Sequence, residues 1–291
     1  MSESKLWKYL DIIKFLNLVN GELYFARADK FKDKYEGAIP KQNYLQFAEQ
    51  YGRTKFRDID RESDHEYSGE NPSNSERDYK KIIKKEFIRK FNERKKKVAI
   101  SCWHLNESES AAMWEMYSRA GQGIAICTTL DKLHKVKKPA GYDMEMFKVD
   151  YIDFDKTYED GFTDYELLPF KNKRKEFEFE HEFRVMLYQK KREFSNRGEL
   201  HEMEASNPKY SKSPDYRQAV PQDMASRLNY LPEAGIRVNI NAAELIDGII
   251  ASPEMKKYEV AEIQKLLDII NKIKGSSYKI KRSRLYENLR Y

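Results

Sequence analysis

Hydrophobic positions recur along the chain with two periods, and the switches between them mark the elements. The run Val98-Ala99-Ile100-Ser101-Cys102-Trp103 reads as a buried strand, followed by a polar loop from Asn106 to Glu109. Met113, Trp114 and Tyr117 are spaced to share one face of a short helix that Gly121 ends, and Gly123–Thr128 reads as a second apolar strand. A strand–helix–strand unit this compact belongs at the centre of a domain. Upstream of it, Leu6–Tyr9 predicts a strand, Ile12 to Val19 a helix stopped at Asn20-Gly21, Glu22–Ala26 a second strand and Tyr44–Tyr51 a helix. Tyr79–Lys97 predicts a basic amphipathic helix whose buried stripe is Ile83, Phe87 and Phe91. Downstream, Met144–Phe154 is strand-like, Leu167–Phe177 helical, Phe179–Tyr188 an alternating strand, and Ile236–Ile240 and Leu245–Ala251 further strands. Ser252-Pro253-Glu254 carries the marks of a helix start, Gly275 those of its end, and Tyr278–Leu285 closes with a strand.

Two stretches interrupt this pattern. Thr54–Asp78 is polar and of mixed charge, with Asn71-Pro72-Ser73 as a turn, and Gln189–Gly235 is long, charged and carries four prolines. Both read as insertions into a single domain spanning 1–291. Strands and helices alternate irregularly, and no Gly-rich phosphate loop follows a strand. The expected class is therefore α+β, a central mixed or antiparallel sheet with flanking helices and two charged insertions.

Composition narrows the function classes. The 291 residues are 40% apolar and 35% charged, and no apolar run approaches the roughly 18 residues of a membrane span. The opening residues lack a signal-peptide core, so a cytoplasmic protein without a membrane partner is expected. Cys102 and Cys127 both lie in apolar strands and read as reduced thiols, and five scattered His residues offer no zinc-site spacing, so no metal is expected. A net charge of +6 permits an anionic partner without demanding one.

Three constellations could carry chemistry. On a strand, Glu180, Glu182 and Arg184 share a face, a carboxylate pair beside a guanidinium that suits either a structural ion pair or the stabilisation of a developing cation. Lys8 and Tyr9 with Arg27, Lys30, Asp33, Tyr35 and Glu36 could hold a nucleotide, an Arg on phosphate and a Tyr on a ring, or form an ordinary charged loop. Ser101, Trp103, Trp114 and Tyr117 could wall a cleft, or be plain core. A basic surface made of Lys80, Lys84, Arg89, Lys173 and Arg174 would suit nucleic acid, or be a solvated face.

In order along the chain, Leu6-Trp7-Lys8-Tyr9, Leu23-Tyr24-Phe25-Ala26 with Phe31 to Glu36, Ser101-Cys102-Trp103-His104, Met113-Trp114, Tyr117-Ser118, Gly123 to Ile126, and Phe179-Glu180-His181-Glu182-Phe183-Arg184 resemble the motifs of the bacterial domain-of-unknown-function family twenty-nine seventy-one. The chain departs from that pattern at Lys32 and Lys34, where the family has Asn and Pro. The layout also resembles ADP-ribosyltransferase-like folds. That resemblance implies NAD as substrate, with Lys8 contacting it from the first strand, Ser101 and Trp103 on a central strand, and Glu182 as catalytic acid with Glu180 beside it. It further implies stacking of nicotinamide on aromatics and pyrophosphate held by Arg27 or Arg184. The expected function is ADP-ribosyl transfer or NAD hydrolysis, with a protein or nucleic-acid acceptor, as a toxin or phage-defence effector. The alternatives are a nucleic-acid-binding module or nuclease of a defence or mobile-element system, and a non-catalytic interaction scaffold.

Overall fold

The computed structural model describes residues 4–49, 72–118, 121–158, 167–189 and 230–286. Its helices and mixed sheet make an α+β fold, as the irregular alternation of elements predicts. The architecture grows outward from β3 (Val98–Leu105), the apolar run of the sequence. Along one edge β3 pairs antiparallel with β8 (Glu182–Gln189) from Val98 to His104, and β8 in turn pairs with β5 (Tyr142–Lys148). The other edge is divided. Its C-terminal end, at His104 and Leu105, pairs with β1 (Lys5–Leu10), and its N-terminal end, at Ala99 and Ile100, pairs with β2 (Glu22–Arg27). From this fork one limb continues through β4 (Ile124–Thr129), β10 (Gly248–Ala251) and β11 (Ile280–Arg282), and the other ends at β9 (Ile236–Asn239). Among the described residues only β10–β11 and the small side sheet of β6 (Asp150–Ile152) with β7 (Asn172–Arg174) are parallel.

Helix α1 (Ile12–Val19) joins the two limbs. Asp11 caps it by accepting from the Lys14 N–H at 2.8 Å, and Phe15, Leu18 and Val19 turn into the core. Alternation along the strands then builds two apolar faces. Leu6, Leu10, Ala99, Trp103, Ile124, Ile126 and Val185 face α1 and α7 (Lys257–Lys274). The opposite face divides into Trp7, Tyr9 and Ala125 against α4 (Ala111–Tyr117), and Val98, Ile100 and Met186 against Phe170.

Several predicted boundaries move, each for a local reason. Helix α2 covers residues 41–49. Helix α3 runs Pro72–Lys95, so Pro72 begins a helix, where its missing N–H is harmless, rather than forming a turn. Phe87 sits edge-on to Tyr44 of α2 at 4.8 Å. The rest of the first expected insertion, 54–71, and most of the second, 190–229, lie outside the described residues. Leu167–Phe177 is not one helix: a 3-10 turn (Leu168–Phe170), strand β7 and a second 3-10 turn (Lys175–Glu180) replace it. Strand β8 starts only at Glu182, because His181 takes a left-handed φ of 38° and breaks the alternation. Leu245 closes a helical turn, α6 (Ala242–Leu245), before β10. Ser252–Glu254 forms a tight turn rather than a helix start. Helix α7 begins four residues later, where the Glu259 carboxylate accepts from the Lys256 N–H at 2.8 Å.

Candidate functional site

Ser101 to Trp103 have no strand partner on the divided edge of β3, since β1 and β2 have already separated there. A cavity of ≈ 410 Å³ fills this fork. Because it lies between the limbs, side chains from both sheet faces line it. Lys8, Trp103 and Leu18 come from one face, and Tyr9, Cys102, His104 and Glu182 from the other. Tyr117 and Met113 of α4, Tyr24 and Glu22 of β2, Glu180, Asp11, Lys14 and Lys32 add to the wall. No group of three or more His, Cys, Asp or Glu residues suited to a metal ion occurs among the described residues.

Lys8 is the most enclosed of the cavity's lysines. Its Nζ donates to Ser101 Oγ and to the Cys102 carbonyl, both at 2.9 Å, and lies 5.0 Å from the centre of the Trp103 ring. The Cys102 carbonyl is the acceptor that a paired strand would otherwise have engaged. Among the described residues Lys8 makes no ion pair. Burial pushes its amine down to about 8, and Lys14 adds to that effect while Cys102 and Glu182 oppose it.

The carboxylate side is built differently. Burial raises the Glu182 carboxyl, but Arg184 and Lys173 outweigh it and hold the group down to about 2, so it is ionised at neutral pH. Lys173 of β7 donates to Glu182 at 3.0 Å and to Glu180 as well, and a Tyr151 hydroxyl accepts from the Glu182 N–H at 2.8 Å. Glu180 and Glu182 thus meet at one ammonium although only Glu182 is on the strand. His104 donates from Nδ1 to the Glu180 carbonyl at 2.5 Å, which leaves Nε2 a bare acceptor, buried and unpartnered. Burial lowers the His104 pKa, favouring the neutral ring. Cys102 shares this face, but burial and then Glu182 raise its thiol well above the usual range, which makes it a poor nucleophile.

Of the residues singled out in the sequence, the cavity brings together Lys8, Tyr9, Trp103, Tyr117, Glu180 and Glu182. Tyr9 accepts from the Ser110 N–H at 2.8 Å and stacks on Tyr117, which is half-exposed. Ser101 serves the site only through Lys8, because it is itself buried. The others are placed elsewhere. Arg184 is fully buried, and its five N–H donors are all used: two on Glu36, two on Glu182 and one shared with the Phe170 carbonyl. No donor remains for a pyrophosphate. Arg27 does not line the cavity, and three of its five N–H donors go to both oxygens of Asp29 and the Leu231 carbonyl. Tyr35 lies on the surface, edge-on to Phe154 with the Arg174 guanidinium over its ring, and Trp114 packs against Tyr9 at 4.9 Å and donates to Glu109.

The basic surface fares no better in the 171–175 run. Lys173 is buried in its ion pairs, Arg174 reaches Asp33 at 3.0 Å, and Lys171 reaches Glu145 at 3.5 Å. On α3, Arg89 pairs with Glu93 at 2.8 Å and Lys84 is exposed, while the side chain of Lys80 lies outside the described residues. Sequence reasoning missed His104, Lys14, Lys32, Cys102 and the role of Glu36. His104 was findable in principle, since it lies two residues after Cys102 on the same strand face. The Glu36–Arg184 pair spans 148 positions and leaves no local signal.

Comparisons with protein-family models, with curated proteins and with solved structures return no match. Among the described residues no helix is long and apolar enough to cross a membrane.

Proposed function

We propose that the fork cavity binds a nucleotide and cleaves its N-glycosidic bond, with NAD as the substrate and ADP-ribosyl transfer or NAD hydrolysis as the reaction. One observation carries this reading: an amine, several aromatic rings and an ionised carboxylate from separate strands line a single cavity. Its size falls in the range of small-molecule sites. Breaking the bond from ribose C1′ to the pyridinium nitrogen sends the electron pair out with nicotinamide and leaves an oxocarbenium-like cation. The Glu182 carboxylate, fixed by Lys173 and Arg184, opposes that charge without having to move. Water or an acceptor then adds to C1′ and loses its proton. With Arg184 committed to the fold, Arg27 outside the cavity lining and Lys14 paired with Asp11 at 3.0 Å, Lys32 is the cavity cation left to meet a pyrophosphate. Such an activity, turned on the cellular NAD pool, is the chemistry of a toxin or phage-defence effector. The resemblance to family twenty-nine seventy-one and to ADP-ribosyltransferase-like layouts points the same way.

The test is nicotinamide release from NAD by the purified chain, followed by chromatography. Glu182→Gln, checked for fold by circular dichroism, is expected to cut release about 100-fold or more. Absence of release by the wild type, or release that survives the substitution, removes the proposal. The nucleic-acid alternative is not favoured, because Lys173 and Arg174 are held in ion pairs.

A further inference from the structure

The cavity holds an amine whose surroundings differ from those of an ordinary buried lysine. We propose that Lys8 is a carbonyl-capturing residue, its Nζ condensing with the aldehyde of an anionic sugar bound in the fork. The open-chain form of ADP-ribose is the expected partner, and the inference rests on the preceding reading for the identity of that sugar alone.

Donor counting shows an amine that can give up one proton without losing a hydrogen bond to oxygen. An ammonium has three N–H donors, whereas Lys8 meets two acceptors, Ser101 Oγ and the Cys102 carbonyl, each at 2.9 Å. Those two bonds satisfy a neutral –NH₂ and leave its lone pair uncommitted. Both acceptors are uncharged, and no carboxylate reaches the nitrogen among the described residues. Lys173 provides the internal contrast: it touches two carboxylates, and Glu182 and Glu180 outweigh its burial and raise its pKa. The lowered pKa of Lys8, about 8, agrees with the geometry, and desolvation of this kind is how lysine nucleophiles are activated. Trp7, Tyr9 and Trp103 offer rings to a base or sugar, and Lys32 offers charge to phosphates.

The step balances without an oxidant or reductant. The Nζ lone pair forms a bond to the aldehyde carbon. The carbonyl oxygen then leaves as water, carrying the two amine hydrogens, and an imine remains.

Trapping decides the matter. The full chain is incubated with ADP-ribose and cyanoborohydride, digested, and mapped by mass spectrometry, with pyridoxal 5′-phosphate as a second phosphorylated aldehyde. A reduced adduct on Lys8 at least about tenfold above that on any other lysine is expected, with its loss in folded Lys8→Met. An unlabelled Lys8, or labelling spread evenly over surface lysines, overturns the inference. Because ADP-ribose is supplied directly, the two readings separate. A Lys8 adduct from ADP-ribose without nicotinamide release from NAD keeps this inference and removes the glycosidic one. Nicotinamide release with no adduct from either aldehyde does the reverse.

Discussion

Arg184 and Lys8 are two cations placed inside one sheet, and the fold treats them in opposite ways. Arg184 is enclosed by two carboxylates and a carbonyl until every N–H has an acceptor. Lys8 is given a hydroxyl, a carbonyl and an aromatic face, and no counter-charge. A guanidinium spent in this way is structural, since any ligand would have to displace protein. An amine left without a counter-ion is costly to keep charged, and that cost makes sense at a site where chemistry needs it. Exposure and charge together do not identify a functional cation; the count of donors against acceptors does.

The contrast breaks most visibly at the arginine. Arg184→Ala leaves Glu36 buried without its guanidinium and Glu182 with Lys173 alone, and should cost about 3–5 kcal/mol, read as loss of soluble folded protein or a lowered urea midpoint. Arg184→Lys should not rescue it, because an ammonium's three donors cannot replace the five N–H bonds that Arg184 makes to Glu36, Glu182 and the Phe170 carbonyl. Next in size is Gly37→Ala, beside Glu36. Gly37 has a φ of 68°, and an added Cβ would lie 2.5 Å from the Phe170 ring, whose own carbonyl serves Arg184. A loss of about 2 kcal/mol or more is expected in the same measurement.

Lys8 should behave with the opposite sign. Its folded pKa of about 8 lies below the 10.5 of the free side chain, so between these values the unfolded chain holds the proton that the folded chain has released. Stability should therefore rise with pH across that window, by up to about 3 kcal/mol, and the penalty is fully present below it. Lys8→Met should flatten the rise and be more stable than wild type near neutral pH by about 1 kcal/mol, after the lost hydrogen bonds are counted. Urea titrations of both proteins at about pH 7 and about pH 10 check this. Because the raised thiols of Cys102 and Cys127 pull stability the other way above about pH 9, the difference between the two proteins is the readout, and an identical pH dependence in wild type and Lys8→Met would overturn the reading of Lys8. The smallest effect belongs to Tyr117, half-exposed at the cavity wall. Tyr117→Ala should change stability by less than about 0.5 kcal/mol yet weaken nucleotide binding measured by calorimetry.

These outcomes also bear on what could be read from the sequence. The sheet was largely legible, because apolar runs such as Val98–Trp103 and alternation such as that of β2 are local properties. So was the convergence of Lys8, Trp103 and Glu182, because each sits on a strand with strong signal. The use of each charge was not legible. Arg184 looks like a ligand-binding arginine until Glu36 arrives from 148 positions away. The single left-handed residue His181 shifts the start of β8, and nothing in its neighbours announces that. Ser252-Pro253-Glu254 has the chemistry of a helix start, yet Ser252 is buried and its N–H goes to the Gly123 carbonyl, so tertiary pairing overrides the local preference.

Helix α1 has a consequence beyond its capping and burial. It is the only direct link between strands β1 and β2, and its eight residues span about 12 Å. It therefore acts as a spacer bar that sets how wide the jaws of the sheet stand. Lengthening or shortening it by one turn would change the gape of the site while leaving the lining side chains of the strands chemically intact, with only Lys14 and Leu18 of the helix shifted. Ligand size should then be tunable from a segment that carries little of the chemistry itself.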